Sequence, residues 1–534
     1  MGPRGALPPL VLALLLVCCC GPAPAAALRV LALYPLAAHS HFLMFKGLME
    51  GLVEHGHEVV LFSPFPNKTP RANWTDVDTS LGRPNMVSSF TFDLVASPSW
   101  SLPGSVLKQA LDLINFHAGS GLCRDVFSMP DFQRAMDGGL GRFDVVLTEL
   151  FGSDCWAAVP YKLGVPLVSV SSAPDVAWMH ERIGSVDNPS YITNVFGNAF
   201  GRMSLWERVC NTFTGLYLNY LARSYFQDGS DPVVREFFGP DVPPLRDLVR
   251  NTSLVLLNRH VSLHAARPVV PNLVLVGGLH VRAPPGTMDP GLRAWMDGAQ
   301  HGVIFFSMGS LIKGASIPPR MRDALLGAFA ELPQRVVWKW EDEGLQVPAN
   351  VRVAKWLPQM DILTHPKTVL FITHGGLMGT LEAVHSSVPM LGLPLFADQI
   401  TNTELYMSLG IAEKLNPFDL DAFTKDNVLA KLRQMTEPRY RERAREIATL
   451  FRDRPRAALD EAVWWIEYVV RNRGAPHLRP FGADLPLYQY LLLDVVAVVL
   501  ASATLAVALV ACLVRRALRG ARPAPSKAAA KKTN

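Results

Sequence analysis

The sequence predicts an α/β protein with two parallel-sheet domains and a single membrane span after them. Three observations carry this. Short apolar strand-like runs alternate with helical patterns in two series, a Pro- and Gly-rich stretch separates the series, and an uninterrupted apolar run of bilayer-crossing length stands near the C-terminus. A chain of 534 residues has ample surface to bury in cores of this kind.

The elements follow in order. Residues 1–27 read as a secretory signal, with Arg4, an apolar run from Leu10 to Cys20, and small residues through Ala27. Residues 28–260 form the first domain. It opens with the strand LRVLALYP, a helical run from His41 to His55 and the strand HEVVLFS. FDVVLTEL (143–150) and VPLVSVSS (165–172) are further strands around a helix from Trp156 to Leu163, and Gly201 to Phe226 is apolar and helical. Residues 261–300, with ARPVVPN and RAPPGTMDPG, read as a linker. Residues 301–455 repeat the alternation with GVIFFSMGS, a helix from Arg320 to Leu332, RVVWKW, VRVAKW, then VLFITHGG, LMGTLEAVHS and PMLGLPL. A last helix and juxtamembrane segment occupy 456–494, the span 495–514, and a basic tail 515–534.

Arg515, Arg516, Arg519, Arg522, Lys527, Lys531 and Lys532 follow the span with no acidic residue, which places the tail in the cytosol and the bulk of the chain on the lumenal side. These seven cations exceed the formal net charge of +5, so the remainder is near −2 and gives no reason to expect nucleic-acid binding. Lys531 and Lys532 before the terminal Thr533-Asn534 look like a dilysine retrieval signal of endoplasmic reticulum membrane proteins. Cys18 to Cys20 leave with the signal and Cys512 lies in the span. Cys123, Cys155 and Cys210 then permit at most one intramolecular disulfide. Asn67, Asn73 and Asn251 head acceptor sequons suited to a lumenal location, whereas Asn188 is excluded by the following proline.

The segment from Trp356 to Gln399 carries the chemistry. In an open α/β sheet the ligand crevice lies at the carboxyl ends of the strands, and His374 and Asp398-Gln399 both fall at such ends. Gly375 and Gly376 let backbone N–H groups approach closely at a helix N-terminus, which suits a diphosphate. The spacing of Trp356, Gln359, His374-Gly375-Gly376, Glu382, Pro389, Pro394 and Asp398-Gln399 resembles the donor signature of the UDP-glycosyltransferase family, and the resemblance runs roughly from Leu28 to the C-terminus. It implies a GT-B fold of two facing Rossmann-like domains, with acceptor bound by the N-terminal half. It also implies a UDP-sugar as co-substrate and no other cofactor. Trp356 would stack on uracil and Gln359 would contact uracil or ribose. Ser310, His374 and the turn from Gly375 to Thr380 would face the diphosphate. Glu382 would take the ribose hydroxyls, and Asp398 with Gln399 those of the sugar.

The acceptor base expected is His41, in YPLAAHSHFLMF. Ser40 is a candidate N-cap, and the helix dipole would keep an imidazole in the first turn neutral. The family's catalytic histidine maps to His41 rather than His39. The carboxylate that orients it would be Glu149, where the family's usual residue is Asp, or Asp154 five positions on. Met378 stands where many relatives carry Asn to reach a phosphate.

These readings predict inverting, metal-independent transfer of a hexose to the hydroxyl of a small lipophilic acceptor. Glucose is the preferred donor, because the stretch resembles invertebrate-type members. The greasy segments Phe42–Phe45, Trp178 with Met179, and 201–226 would suit such acceptors. The one DxD triplet, Asp76-Val77-Asp78, reads as a solvated turn, and no His/Cys cluster has zinc spacing. The expected location is the endoplasmic reticulum membrane, single-pass type I, and a homo-oligomer is compatible with it. The alternative is a non-catalytic UDP-sugar-binding partner subunit, for which Met378 and Glu149 would argue. A nicotinamide enzyme would want a GxGxxG after the first strand, which is missing.

Overall fold

Two parallel sheets organise the chain, their central strands formed from Val-, Leu-, Ile- and Phe-rich runs too uniformly apolar to face water on either side. The computed structural model describes residues 27–34, 36–82, 86–96, 119–196, 201–282 and 286–520. The signal segment up to residue 26 and the dilysine end of the tail lie outside the described residues, as does Pro35.

The first sheet contains β1 (Arg29–Leu33), β2 (Glu58–Ser63), β3 (Trp74–Asp78), β4 (Val145–Glu149), β5 (Leu167–Ser171), β6 (Thr252–Leu257) and β7 (Leu273–Leu275) in the order β3-β2-β1-β4-β5-β6-β7. The second contains β8 (Val303–Ser307), β9 (Arg335–Lys339), β10 (Val351–Ala354), β11 (Thr368–Thr373), β12 (Met390–Gly392) and β13 (Ala412–Lys414), ordered β10-β9-β8-β11-β12-β13. All pairs are parallel. Strand order therefore reverses between β1 and β4 in one sheet and between β8 and β11 in the other. Such switch points open a crevice at the carboxyl ends of the strands.

The helices between and after these strands include α1 (His39–Glu54), α2 (Leu205–Ala222), α3 (Leu377–His385), α4 (Asp398–Ser408) and α5 (Ala458–Arg471). α5 returns from the second sheet to pack on α1. Gly51 makes this crossing possible, since a Cβ there would lie 2.4 Å from a Leu459 methyl. By itself, the segment from Pro480 onward contains α6 (Leu493–Gly520), long and apolar enough to cross a membrane.

Three local expectations are corrected. α1 begins at His39, with Ala38 as its cap, so Ser40 lies inside the first turn and caps nothing. The segment expected to be a linker supplies β7 to the first sheet, because LVL at 273–275 finds an open edge beside β6. Asp76 and Asp78 lie in edge strand β3 rather than a turn; Asp76 accepts from Asn67 and Asp78 from the Ser80 N–H.

Candidate active site

The loops after β1, β4 and β5 converge on His41. Its position is set by the loop from Tyr34, whose hydroxyl donates to the Ala38 carbonyl at 2.8 Å, and by Phe42 and Phe45, whose rings pack on Tyr34. Ser172, just past β5, places its Oγ 2.7 Å from His41 Nδ1. The same hydroxyl donates to Glu149 Oε1 at 3.0 Å, and the Ser172 N–H donates to that oxygen at 3.2 Å. A serine has one hydroxyl hydrogen. With that hydrogen directed to an ionised Glu149, the serine oxygen accepts from Nδ1–H, leaving Nε2 as the basic nitrogen of His41.

Burial governs the protonation of both ends. It lowers the His41 imidazole to about 4, so the neutrality expected from the helix dipole has desolvation as its main cause. It raises the Glu149 carboxyl to about 8, against the hydrogen bonds from Ser172 and Phe151. Asp154, the other candidate, lies elsewhere. It is buried, ion-paired with Arg182, and accepts from Gln227 Nε2 at 2.9 Å. The structure therefore brings Glu149 to the imidazole and leaves Asp154 in a structural pair, with Ser172 intervening.

Across the cleft, β11 delivers His374 and its glycines. Gly375 has φ +85°, and a Cβ on it would lie 2.5 Å from Thr403 Oγ1; a Cβ on Gly376 would lie 2.4 Å from His374 Nε2. Only glycine lets this turn close around the imidazole. His374 is lowered to about 4 by burial and then by Lys339, and its Nδ1 is buried without a protein partner. Gly376 caps α3, whose first N–H groups point out of the helix beside the cleft. Ser310, after β8, lines the same cavity.

Thr380 does not face the cavity. Its hydroxyl donates to the Leu377 carbonyl at 2.9 Å and accepts from Tyr406 at 3.0 Å, so it anchors α3 to α4. Gln359 Nε2 donates to Glu382 Oε2 at 2.6 Å, and burial raises Glu382 to about 7. Asp398 accepts from Asn402 Nδ2 at 2.8 Å and is raised by burial to about 6. Gln399 Oε1 accepts from the Leu395 and Phe396 N–H groups, holding the loop that aims Asp398. Ala397 in that loop has φ +55°, a costly conformation for a side chain with a Cβ. Trp356 is 55% exposed, with its edge on His39 and Lys339 Nζ 5.7 Å from its ring centre.

These groups surround a cavity of about 270 Å³ between the sheets, lined on the His41 side by Leu43, Met86, Phe90, Phe151, Val176 and Phe196. A second space of about 1290 Å³ continues past Trp356, Gln359 and Glu382. Phe42, Phe45, Trp178 and Met179 are core residues rather than lining, and α2 exposes Leu205, Trp206, Phe213, Leu216 and Tyr220. Sequence reasoning missed Ser172 and Lys339. A serine ending an apolar strand and a lysine ending RVVWKW were the available signals. Lys339 is the only lysine or arginine among the described residues lining the smaller cavity. Its Nζ donates to the Gly309 carbonyl at 3.0 Å and pairs with Glu341 at 2.7 Å. Met378 also lines it. Among the described residues, no three His, Cys, Asp or Glu side chains converge as a metal site needs.

Cys123 and Cys155 form a disulfide, with Cys210 free. Asn73 and Asn251 are exposed, while the Asn67 amide is engaged with Asp76.

A family model described as UDP-glucoronosyl and UDP-glucosyl transferase matches residues 30–521. UDP-glucosyltransferase 2 of Dactylopius coccus is 38% identical over 88% of this chain and 89% of its own length. UDP-glucuronosyltransferase 2B15 of Rattus norvegicus is 31% identical over 88% and 90%. Among solved structures, a UDP-glucosyltransferase from Polygonum tinctorium superposes with TM-score 0.55 at 16% identity, covering 84% of this chain and 99% of that one. The glycotransferase of kitacinnamycin gives 0.54 at 20% identity, covering 83% and 99%. Both likenesses are in fold, the GT-B arrangement.

Proposed function

The chain belongs to the UDP-glucoronosyl and UDP-glucosyl transferase family and transfers sugar from a UDP-sugar to an acceptor; we propose that it does so by inverting, metal-independent displacement, moving glucose onto the hydroxyl of a small lipophilic compound. The observation that carries this reading is the hydrogen-bonded series His41–Ser172–Glu149 facing His374 and the N-terminus of α3 across one cavity.

The chemistry follows from that geometry. The acceptor hydroxyl gives its proton to His41 Nε2 as its oxygen attacks the anomeric carbon. The Nδ1 proton passes to Ser172, whose own hydrogen passes to Glu149. The bond from the anomeric carbon to the diphosphate oxygen breaks, and UDP leaves with the electron pair. In a dry site the proton rests best on Glu149, since burial weakens the imidazole as a base and strengthens the carboxylate. The leaving diphosphate gains hydrogen bonds from the first N–H groups of α3, with Ser310 and His374 beside them. The open ring of Trp356 suits uracil, Glu382 the ribose, and Asp398 with Gln399 the sugar hydroxyls.

The apolar lining around His41 supports a lipophilic acceptor. Glucose is favoured over a uronate because Lys339 already has Glu341 as counter-ion, leaving no uncompensated cation for a sugar carboxylate among the described residues lining this cavity. The location proposed is the endoplasmic reticulum membrane, with both sheets lumenal. The Cys123–Cys155 disulfide supports an oxidising compartment, and Arg515, Arg516 and Arg519 at the end of α6 support a cytosolic tail.

The test is UDP release by membranes carrying the full chain, with UDP-glucose, UDP-glucuronate, UDP-galactose and UDP-N-acetylglucosamine against phenols and sterols, with and without EDTA. Acceptor-dependent release that survives EDTA and vanishes in His41→Ala is expected. Tight UDP binding without release from any donor would indicate a non-catalytic partner subunit instead.

A further inference from the structure

We propose that Asn258 is a positioning residue that ties the donor-binding turn of α3 to the serine of the proton relay. It lies just beyond the end of β6 and is fully buried. Both hydrogens of its amide are used, and they go to different domains. Nδ2 donates to the Ser172 carbonyl at 3.1 Å and to the Met378 sulfur at 3.5 Å. Its Oδ1 accepts from the Gly278 N–H at 3.3 Å, and its own N–H donates to the Ser171 carbonyl at 3.0 Å. The side chain is therefore fixed from three directions and cannot follow Met378 without disturbing Ser172.

Met378 occupies the first turn of α3, beside the N–H groups that face the cavity. His280 holds it from a second point, with Nε2 3.2 Å from the Met378 carbonyl. A thioether is a weak acceptor, but it is the right length to reach an amide hydrogen across the domain boundary while filling space. Met378 thus serves as a contact to the other domain at a position where a phosphate-reaching Asn would otherwise be expected. When a diphosphate draws on the α3 turn, the displacement reaches Ser172 through the Asn258 side chain. Ser172 sets the distance between His41 and Glu149, so occupancy of the donor site is coupled to the base.

The groups facing His41 are Ser172 from the loop after β5, with Glu149 and Phe151 from the end of β4; Tyr34 lies in the field of Glu149. A shift of Ser172 therefore registers in the pH dependence of turnover. The inference rests on His41 as the base, and the experiment separates the two. Full-length Asn258→Leu, Met378→Leu, Ser172→Ala, Asn258→Leu/Ser172→Ala and His41→Ala are assayed for kcat, for KM of both substrates and for kcat/KM against pH, with UDP binding measured beside them.

Asn258→Leu should lower kcat by about tenfold or more while the UDP-sugar KM changes by less than about twofold, and should move the pH midpoint. The double variant should be no slower than Ser172→Ala alone within about twofold, since the two act through one path. Met378→Leu, which keeps the volume and removes the sulfur, should move the midpoint the same way by a smaller amount. Wild-type kcat and pH profile in Asn258→Leu, or losses that add fully in the double variant, would overturn the proposal. So would an unchanged midpoint in Met378→Leu, which also serves if the leucine at 258 prevents folding. Turnover surviving in His41→Ala would overturn the base assignment and this proposal together. Its loss beside an unaltered Asn258→Leu would overturn this proposal alone.

Discussion

Ser172 Oγ stands 2.7 Å from His41 Nδ1 and 3.0 Å from Glu149 Oε1, so imidazole and carboxylate meet through a hydroxyl. With Glu149 ionised, the arrangement fixes the imidazole tautomer as a direct carboxylate would, and it adds a second proton transfer that a direct pair does not need.

Ser172→Ala removes the bridge and leaves both buried groups without their shared partner. The expected loss in kcat is about 10²- to 10⁴-fold, the range for general base catalysis, with UDP affinity retained. Ser172→Thr keeps a hydroxyl and should recover part of the rate. Single-turnover UDP release reads both, and an alanine variant at wild-type rate would remove Ser172 from the mechanism.

The pH dependence follows from Glu149, whose carboxyl is pushed up to about 8 by burial. kcat/KM should rise with pH through about 8, because the relay needs Glu149 ionised to receive the proton. Glu149→Gln should abolish this limb together with most of the activity. Stability runs the other way. A carboxyl raised in the fold stabilises it below its ordinary unfolded value, and that contribution is lost as pH climbs to about 8. The thermal transition of the wild type should therefore fall across this window, and that of Glu149→Gln should fall less. Some slope should persist, because Glu382 and Asp398 are raised in the same direction.

Asp154→Ala should act on stability rather than chemistry. It leaves the Arg182 guanidinium buried and unpaired, which costs about 3–5 kcal/mol by the usual penalty for breaking a buried pair. A lower thermal transition with near-normal kcat in the folded fraction is expected. The converse, full stability with lost turnover, would return Asp154 to the active site.

Trp356→Leu should raise the UDP-sugar KM by about tenfold or more while leaving the acceptor KM near normal, since base stacking on an aromatic ring is worth about 1–3 kcal/mol. Titration with UDP alone checks the same contact without turnover. An unchanged affinity would move the uracil away from this ring.

Much of this was legible in the chain because it is local. The alternation of apolar strands and helices, the His374-Gly375-Gly376 turn and the apolar run that becomes α6 are each encoded within a few tens of residues, where side-chain period and backbone preference are sufficient. The positions of Glu149 and His374 at the ends of β4 and β11, of Ser310 after β8 and of His41 in the first turn of α1 follow from the same patterns.

What tertiary structure decided lies between residues far apart. Ser172 reaches His41 across 131 positions, and Asn258 reaches Met378 across 120. Arg182 takes Asp154 out of the cleft, Tyr406 turns Thr380 inward, and the open edge of β6 recruits β7 from a segment that reads as linker. Sequence sets which groups can donate, accept or carry charge. Whether a given pair meets depends on which strand ends the sheet order brings together, and that is fixed only when burial of both sheets makes each polar group find a partner or bear the cost of desolvation.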